Sequence, residues 1–456
     1  MTTQDTTQRR QLHLNAFIMP NGHHEAAWRH PSTNPQGALT LQHYVDIART
    51  AERGLLDSVF LADGVALMTD NVRHNSHSAF EPLTLLSALA ASTEHVGLIA
   101  TASTTYNHPY TLARAFASLD HLSGGRAGWN IVTSGSKVEA GNFGIDRPDH
   151  SRRYERAEEF IEVVAALWDS FGDGAVIADK ASGLYADTSR IRSIDHHGEF
   201  FDIAGPLNVP RPVQGYPLLV QAGSSETGKA YAAKYAEAVF TAQQTLADGI
   251  EFYEDLKRRL PQHGRSRSEL LVLPGISPII GSTQEEAERL EAEINSGIVP
   301  AYGLAQLSAM LDVELTEEHL DEQLPQIDRI TQGNQSRFTL VTELARRDNL
   351  TVRQLIERLA GGRGHRVLAG TPEQIADDLE LWFTQGAADG FNIMPPTYPQ
   401  GLEVFVDTVV PLLQERGLFR TEYTGRTLRE HYGLARPESG QISPTNPSIT
   451  SKENAA

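Results

Sequence analysis

Gly125-Arg126-Ala127-Gly128-Trp129-Asn130-Ile131-Val132-Thr133-Ser134 is a short apolar run that opens on glycine and closes on hydroxyls. Its length and bounding residues predict a buried strand, with Asn, Thr and Ser gathered toward its carboxyl end. In parallel α/β folds, ligands sit at the carboxyl ends of strands, so polar side chains there point to chemistry. Working outward, residues 12–20, 58–63, 96–103, 217–223, 238–243, 270–280 and 390–395 read as further apolar strands.

Helical periods lie between most of them. Residues 41–53 carry Tyr44, Val45, Ala48 and Ala51 on one face, and 109–122 and 371–384 repeat the pattern. Ser282…Glu285, Thr351…Gln354 and Thr371…Gln374 fit capping boxes, the last with Pro372 at the first helical position. Strands alternating with helices predict an α/β fold, specifically a (β/α)8 TIM barrel. A doubly wound sheet competes, but no Gly-x-Gly-x-x-Gly turn follows the first strand.

The chain has 456 residues, against about 250 for a plain barrel. The excess falls after strand 4 (residues 139–215, opening with a long helix over 150–171) and after strand 7 (281–370). Insertions at strand carboxyl ends cover active sites, so both are expected to form a lid, with Gly361, Gly362 and Gly364 as hinges. Residues 12–436 read as one domain, with flexible tails over 1–11 and the Ser/Pro/Asn-rich 437–456.

Formal net charge is −19, which repels nucleic acid and anionic lipid. The absence of cysteine excludes disulfides, thiolate catalysis and cysteine-ligated metals. Residues 1–11 are polar, and no apolar run approaches the roughly 20 residues of a membrane span. A cytoplasmic protein without nucleic-acid or membrane partners is expected.

Five places carry polar groups suited to a ligand. Asp63 ends the second strand before Gly64, although Asp-Gly is also an ordinary turn. Thr101 lies in a hydroxyl-rich strand end, where such groups bind a heteroaromatic ring or satisfy loose backbone. Asn130, mid-strand, is either a structural bridge or a ligand contact. His150 and Tyr154 share one face at a helix opening, which suits an anion such as phosphate, or an aromatic staple. Ala222-Gly223-Ser224-Ser225-Glu226 follows a strand and opens a helix, and its hydroxyls and free N–H groups favour a phosphate cradle. The paired histidines His23-His24 and His196-His197, and His74 with His77, diverge as neighbours or lack chelating spacing, so no metal is expected. No Gly-x-Ser-x-Gly elbow is present.

Several longer pieces appear in one order: Ala27-Trp28-Arg29-His30-Pro31, Phe60-Leu61-Ala62-Asp63-Gly64, Leu119-Asp120-His121-Leu122-Ser123-Gly124-Gly125-Arg126, Asp195-His196-His197-Gly198-Glu199-Phe200-Phe201 and Ala387-Ala388-Asp389-Gly390-Phe391. With Gly128 to Ser134 and Gln221 to Ser225, they resemble the nitrilotriacetate monooxygenase component A and dibenzothiophene-sulfone monooxygenase family of bacterial-luciferase-like flavin monooxygenases. The resemblance runs from about residue 12 to 437. It implies a luciferase-like barrel using reduced FMN (FMNH2) and O2, through a flavin hydroperoxide, to oxygenate a small organic substrate.

By the same resemblance, Asp63, Thr101, His150, Tyr154 and Ser225 match flavin contacts, with Asn130 and Ser224 as neighbours. The phosphate would sit with Tyr154 and Ser225, and the isoalloxazine ring near Asp63, Thr101 and Asn130. His23 matches a position near the substrate pocket; no catalytic acid or base is assigned. The resemblance also implies a separate NAD(P)H-dependent flavin reductase and a homo-oligomer. Family substrates range widely, with a leaning here toward sulfur-substituted amino-acid derivatives; Arg29, Arg73, Arg152 and Arg153 are candidates to meet a carboxylate or sulfonate. Two alternatives stand beside this reading: a deazaflavin-dependent hydride-transfer oxidoreductase, and a non-catalytic flavin-binding protein.

Overall fold

A computed structural model describes residues 10–67, 72–76, 80–146, 149–327 and 335–442. Eight strands form its centre: β1 (His13–Ile18), β2 (Ser58–Leu61), β3 (Gly97–Ser103), β4 (Ala127–Val132), β5 (Leu218–Gln221), β6 (Ala238–Thr241), β7 (Leu271–Ile280) and β8 (Gly390–Ile393). They pair in parallel and in sequence order, and β8 returns to β1, so the sheet closes into a barrel. All eight expected strands are the barrel strands.

Period-2 alternation sorts the β4 side chains. Gly128 and Asn130 face the interior, while Trp129 and Ile131 enter the apolar layer between strands and helices. Trp129 is fully buried among Phe116, Phe160 and Trp168, and its indole N–H donates to the Ala102 carbonyl at 3.0 Å. Trp129→Ala is expected to cost about 3–5 kcal/mol, read as a fall in the urea midpoint at unchanged slope.

The barrel interior is filled, not hollow. Leu428 and Tyr432 close its amino-terminal end, where the Tyr432 hydroxyl donates to Asn15 at 2.7 Å. Higher up, Phe17, Phe60 and Phe240 meet with centroids 5.1–5.5 Å apart. These three rings form an apolar floor beneath the carboxyl-terminal mouth.

The helices Leu41–Arg53, Pro109–Ser123 and Pro372–Thr384 form where expected, and Thr351 and Thr371 both complete capping boxes. The third box is shifted: Thr283 caps the Glu286 N–H, and the Ser282 N–H donates to the Glu286 carboxylate. A strand not foreseen, Arg366–Gly370, extends the far half of β7 in parallel.

The insertion after β4 divides. Helix His150–Ser170 packs on Pro109–Ser123 as a regular barrel helix. Barrel helices run back toward the strand amino ends, so the chain beyond it lies at the opposite end from the mouth. There Gln214 donates to Asp120 and the Pro210 carbonyl meets His121. No described residue from 171 to 217 lines the mouth cavity, which overturns a lid role for that stretch.

The expected tails are also partly anchored. Arg10 pairs with Asp389 at 2.7 Å, Arg211 donates to the Pro437 carbonyl, and the Gly440 N–H donates to Asp169. Residues 1–9 and 443–456 lie outside the described residues. Among the described residues, no helix is long and apolar enough to cross a membrane.

Candidate active site

The carboxyl-terminal mouth holds a cavity of about 690 Å³, within the range of cofactor and substrate pockets. Asp63, Thr101, Asn130, His150, Tyr154, Ser224 and Ser225, scattered over some 160 positions of sequence, all line it. Each arrives on a strand end or on the helix that follows one.

Thr101 and Asn130 are register partners on β3 and β4, and both face inward. The Asn130 amide N–H donates to the Thr101 hydroxyl at 2.8 Å, while its Oδ1 is buried without a hydrogen-bond partner. A buried acceptor left unmade costs about 1–3 kcal/mol, so this atom is suited to a ligand N–H. Asp63 opens onto the cavity beside Glu139. Burial, and then the Glu81 and Glu139 carboxylates, push its pKa up against the lowering effect of the Gly64 N–H.

Ser225 caps helix Glu226–Tyr235 by accepting from the Gly228 N–H at 3.1 Å. Ser224 lies 3.3 Å from the Thr241 hydroxyl, and the Gly223 N–H is held by Gln221 at 2.8 Å. The Tyr154 phenol bonds Ser225 and Thr133, and burial raises its pKa. The His150 ring stands 5.0 Å from that of Tyr154, and burial and then Arg153 lower its pKa. His150 is therefore mostly neutral near pH 7, and positive charge at this corner comes from Arg153. Arg153 donates to the Thr133 and Ser134 carbonyls at 3.2 and 3.0 Å.

Of the arginines expected to meet a substrate anion, Arg153 lines the cavity, at i+3 from His150 and near the face that carries Tyr154. The other arginines expected from the sequence do not line the cavity. Arg29 donates to the Gly297 carbonyl, Arg152 pairs with Glu155 and Glu199, and Arg73 is exposed. Sequence reasoning missed Arg337, Leu340 and His365, which the insertion after β7 brings to the cavity. No spacing links them to a strand end, so only the fold reveals them.

Of the expected hinges, Gly361 and Gly362 end helix Val352–Gly362 and pack on Val367, whereas Gly364 alone takes a left-handed φ of +88°. His23 lies behind the floor, its ring nitrogen donating to the Phe17 carbonyl at 2.6 Å. Burial drives its pKa down to about 3, outweighing that bond, and Arg363 lowers it further.

The other expected motifs are structural. Arg126 donates to the carbonyls of Ser123, Val96, Ala90 and Thr93, and His196 pairs with Glu159 at 3.0 Å on the barrel's outside. Among the described residues, no group of three or more metal-ligating side chains gathers, and His77 lies outside those residues.

The family model for luciferase-like monooxygenases matches residues 22–389. Nitrilotriacetate monooxygenase component A of Aminobacter aminovorans is 50% identical over 96% of this chain and 99% of its own length. N-acetyl-S-(2-succino)cysteine monooxygenase of Bacillus subtilis is 49% identical over 95% of this chain and 98% of its own. A riboflavin lyase solved with modified FMN and riboflavin superposes with a TM-score of 0.85 at 31% identity, covering 95% of this chain and 98% of that one.

Proposed function

This chain belongs to the luciferase-like monooxygenase family, and from that premise we propose that its mouth cavity binds reduced FMN and oxygenates a small carboxylate-bearing substrate. The observation that carries the reading is the unpartnered, buried Asn130 Oδ1 within a cavity that also holds a phosphate-type corner.

In this reading Tyr154, Ser225 and the first N–H groups of helix Glu226–Tyr235 hold the phosphate, with Arg153 supplying charge. His150 and Ser224 complete that corner. Asp63, Thr101 and Asn130 position the ring above the floor of Phe17, Phe60 and Phe240. Reduced flavin supplies the O2 chemistry; the chain's part is to orient it and to exclude water. The aromatic floor and the insertion after β7 do the excluding.

Residues 12–436 act as one unit in this account. The relative's designation as a component A supports a second component, an NAD(P)H-dependent reductase that delivers the flavin. Dependence on NAD(P)H supports a cytoplasmic setting, and the family resemblance supports a homo-oligomer. The named substrates of the two sequence relatives, nitrilotriacetate and N-acetyl-S-(2-succino)cysteine, support the substrate class.

Anaerobic titration with reduced FMN, oxidised FMN and a deazaflavin checks the cofactor. Asn130 Oδ1 can only accept, and reduction adds an N–H to the ring. Reduced FMN is therefore expected to bind about tenfold more tightly than oxidised FMN, the equivalent of one hydrogen bond. Tighter binding of the deazaflavin would favour hydride transfer, and equal binding of both FMN forms would favour a non-catalytic binder.

A further inference from the structure

The two sides of the cavity differ in charge. Asp63 and Glu139 put carboxylates on the side of β2 and β4, where Arg153 stands at the phosphate-type corner, whereas the insertion after β7 contributes a second guanidinium, Arg337, beside His365 and Leu340. Arg337 comes from helix Gln335–Arg347, yet it is tethered to the neighbouring turn by donating to the Arg363 carbonyl. That turn is shaped to receive it. Gly364 has φ +88°, and a Cβ there would press against the guanidinium. The Gly364 carbonyl is fixed in turn by the Gln244 amide at 2.7 Å. A glycine cradle therefore holds a cation at the cavity wall, next to an aromatic surface where His365 stacks on Phe240 at 4.9 Å.

We propose that Arg337 is the specificity-determining residue that anchors a carboxylate of the substrate. This rests on the cavity being the oxygenation site. A guanidinium presents a planar fork that matches a carboxylate with two N–H···O bonds. Burial lowers its pKa to about 10, with Arg363 contributing, which leaves it charged at neutral pH and poorly hydrated. His365 does not compete: burial, then Arg337 and His23, push its pKa well below the usual histidine range, so it stays neutral. With Arg153 assigned to the flavin phosphate, the carboxylates at Asp63 and Glu139 dominate the opposite wall and repel an anion, so a substrate acid group is directed to the β7 side.

The test is anaerobic calorimetry with reduced FMN present. The probes are nitrilotriacetate, N-acetyl-S-(2-succino)cysteine and the neutral triamide of nitrilotriacetate. Wild type is expected to bind at least one carboxylate probe and to bind the triamide at least tenfold more weakly. R337Q should weaken carboxylate binding about 10- to 150-fold, the range for a charged hydrogen bond, and R337K by less. Triamide and FMN affinities should stay unchanged. G364A, whose Cβ would crowd the guanidinium at a left-handed φ, should weaken carboxylate binding in the same direction by less. Unaltered carboxylate affinity in R337Q, or wild type that binds neither carboxylate probe, overturns the proposal. Failure of reduced FMN itself to bind overturns the reading of the cavity instead.

Discussion

Combining Tyr154→Phe with Ser225→Gly should weaken FMN binding by about 10²–10³-fold while leaving riboflavin binding nearly unchanged. Each hydroxyl lines the phosphate-type corner, and a hydrogen bond to a charged group is worth about 1.5–3 kcal/mol. Both would serve one phosphate, so the losses add less than fully. Glycine is chosen at 225 because that residue also caps helix Glu226–Tyr235; a glycine cap costs only a few tenths of a kcal/mol, where alanine costs about 1. The phenylalanine keeps the ring that packs 5.8 Å from Tyr231. The fold should lose no more than about 1–2 kcal/mol, the phenol's own bonds to Ser225 and Thr133 included. Fluorescence titration of both flavins against both proteins reads the result. Equal affinity of wild type for FMN and riboflavin would show that no phosphate is held there.

Asp389→Ala should destabilise the fold by about 3–5 kcal/mol, the cost of stranding a buried charge, without altering flavin affinity in the protein that remains folded. Asp389 pairs with Lys257 at 3.0 Å and Arg10 at 2.7 Å, and accepts from the Val272 N–H at 2.9 Å and the Tyr253 hydroxyl at 3.0 Å. The Lys257 side chain is 2% exposed. Burial alone would raise the Asp389 carboxyl, but Lys257, Arg10 and the Val272 N–H outweigh it and hold its pKa below the usual carboxylate value. A folded-state pKa below the unfolded one gives stability present above the unfolded value of about 4. That stability is lost as pH falls through the folded value. Wild type should thus lose stability in acid more steeply than Asp389→Ala, measured by urea midpoints from pH 7 downward. Parallel acid curves would remove Asp389 as the anchor.

The same residue shows what the sequence could and could not reveal. Ala387-Ala388-Asp389-Gly390-Phe391 was recognisable as a motif, yet its role became visible only when Lys257 and Arg10 arrived from 132 and 379 positions away. The barrel strands were legible because each is a short apolar run bounded by glycine or polar residues, as β4 is. Ser224 and Ser225 were legible as cavity residues because strand ends and helix starts are local features: Ser225 caps the helix it precedes. Arg366–Gly370 escaped because only part of β7's length pairs within the ring, and its outer half recruits a strand of mixed polarity. Arg337 escaped because its position depends on how a helical insertion folds back over the mouth. The expected lid over 139–215 failed beyond residue 170 for a directional reason, since the chain leaving a barrel helix emerges at the wrong end.

Stopped-flow absorbance after mixing the protein and anaerobic reduced FMN with oxygenated buffer tests most directly whether the mouth cavity shelters a reacting flavin. The return of oxidised-flavin absorbance should be delayed well beyond that of free reduced FMN, and Tyr154→Phe with Ser225→Gly should abolish the delay at the same concentrations. Return at the free-flavin rate under saturating protein would contradict the account.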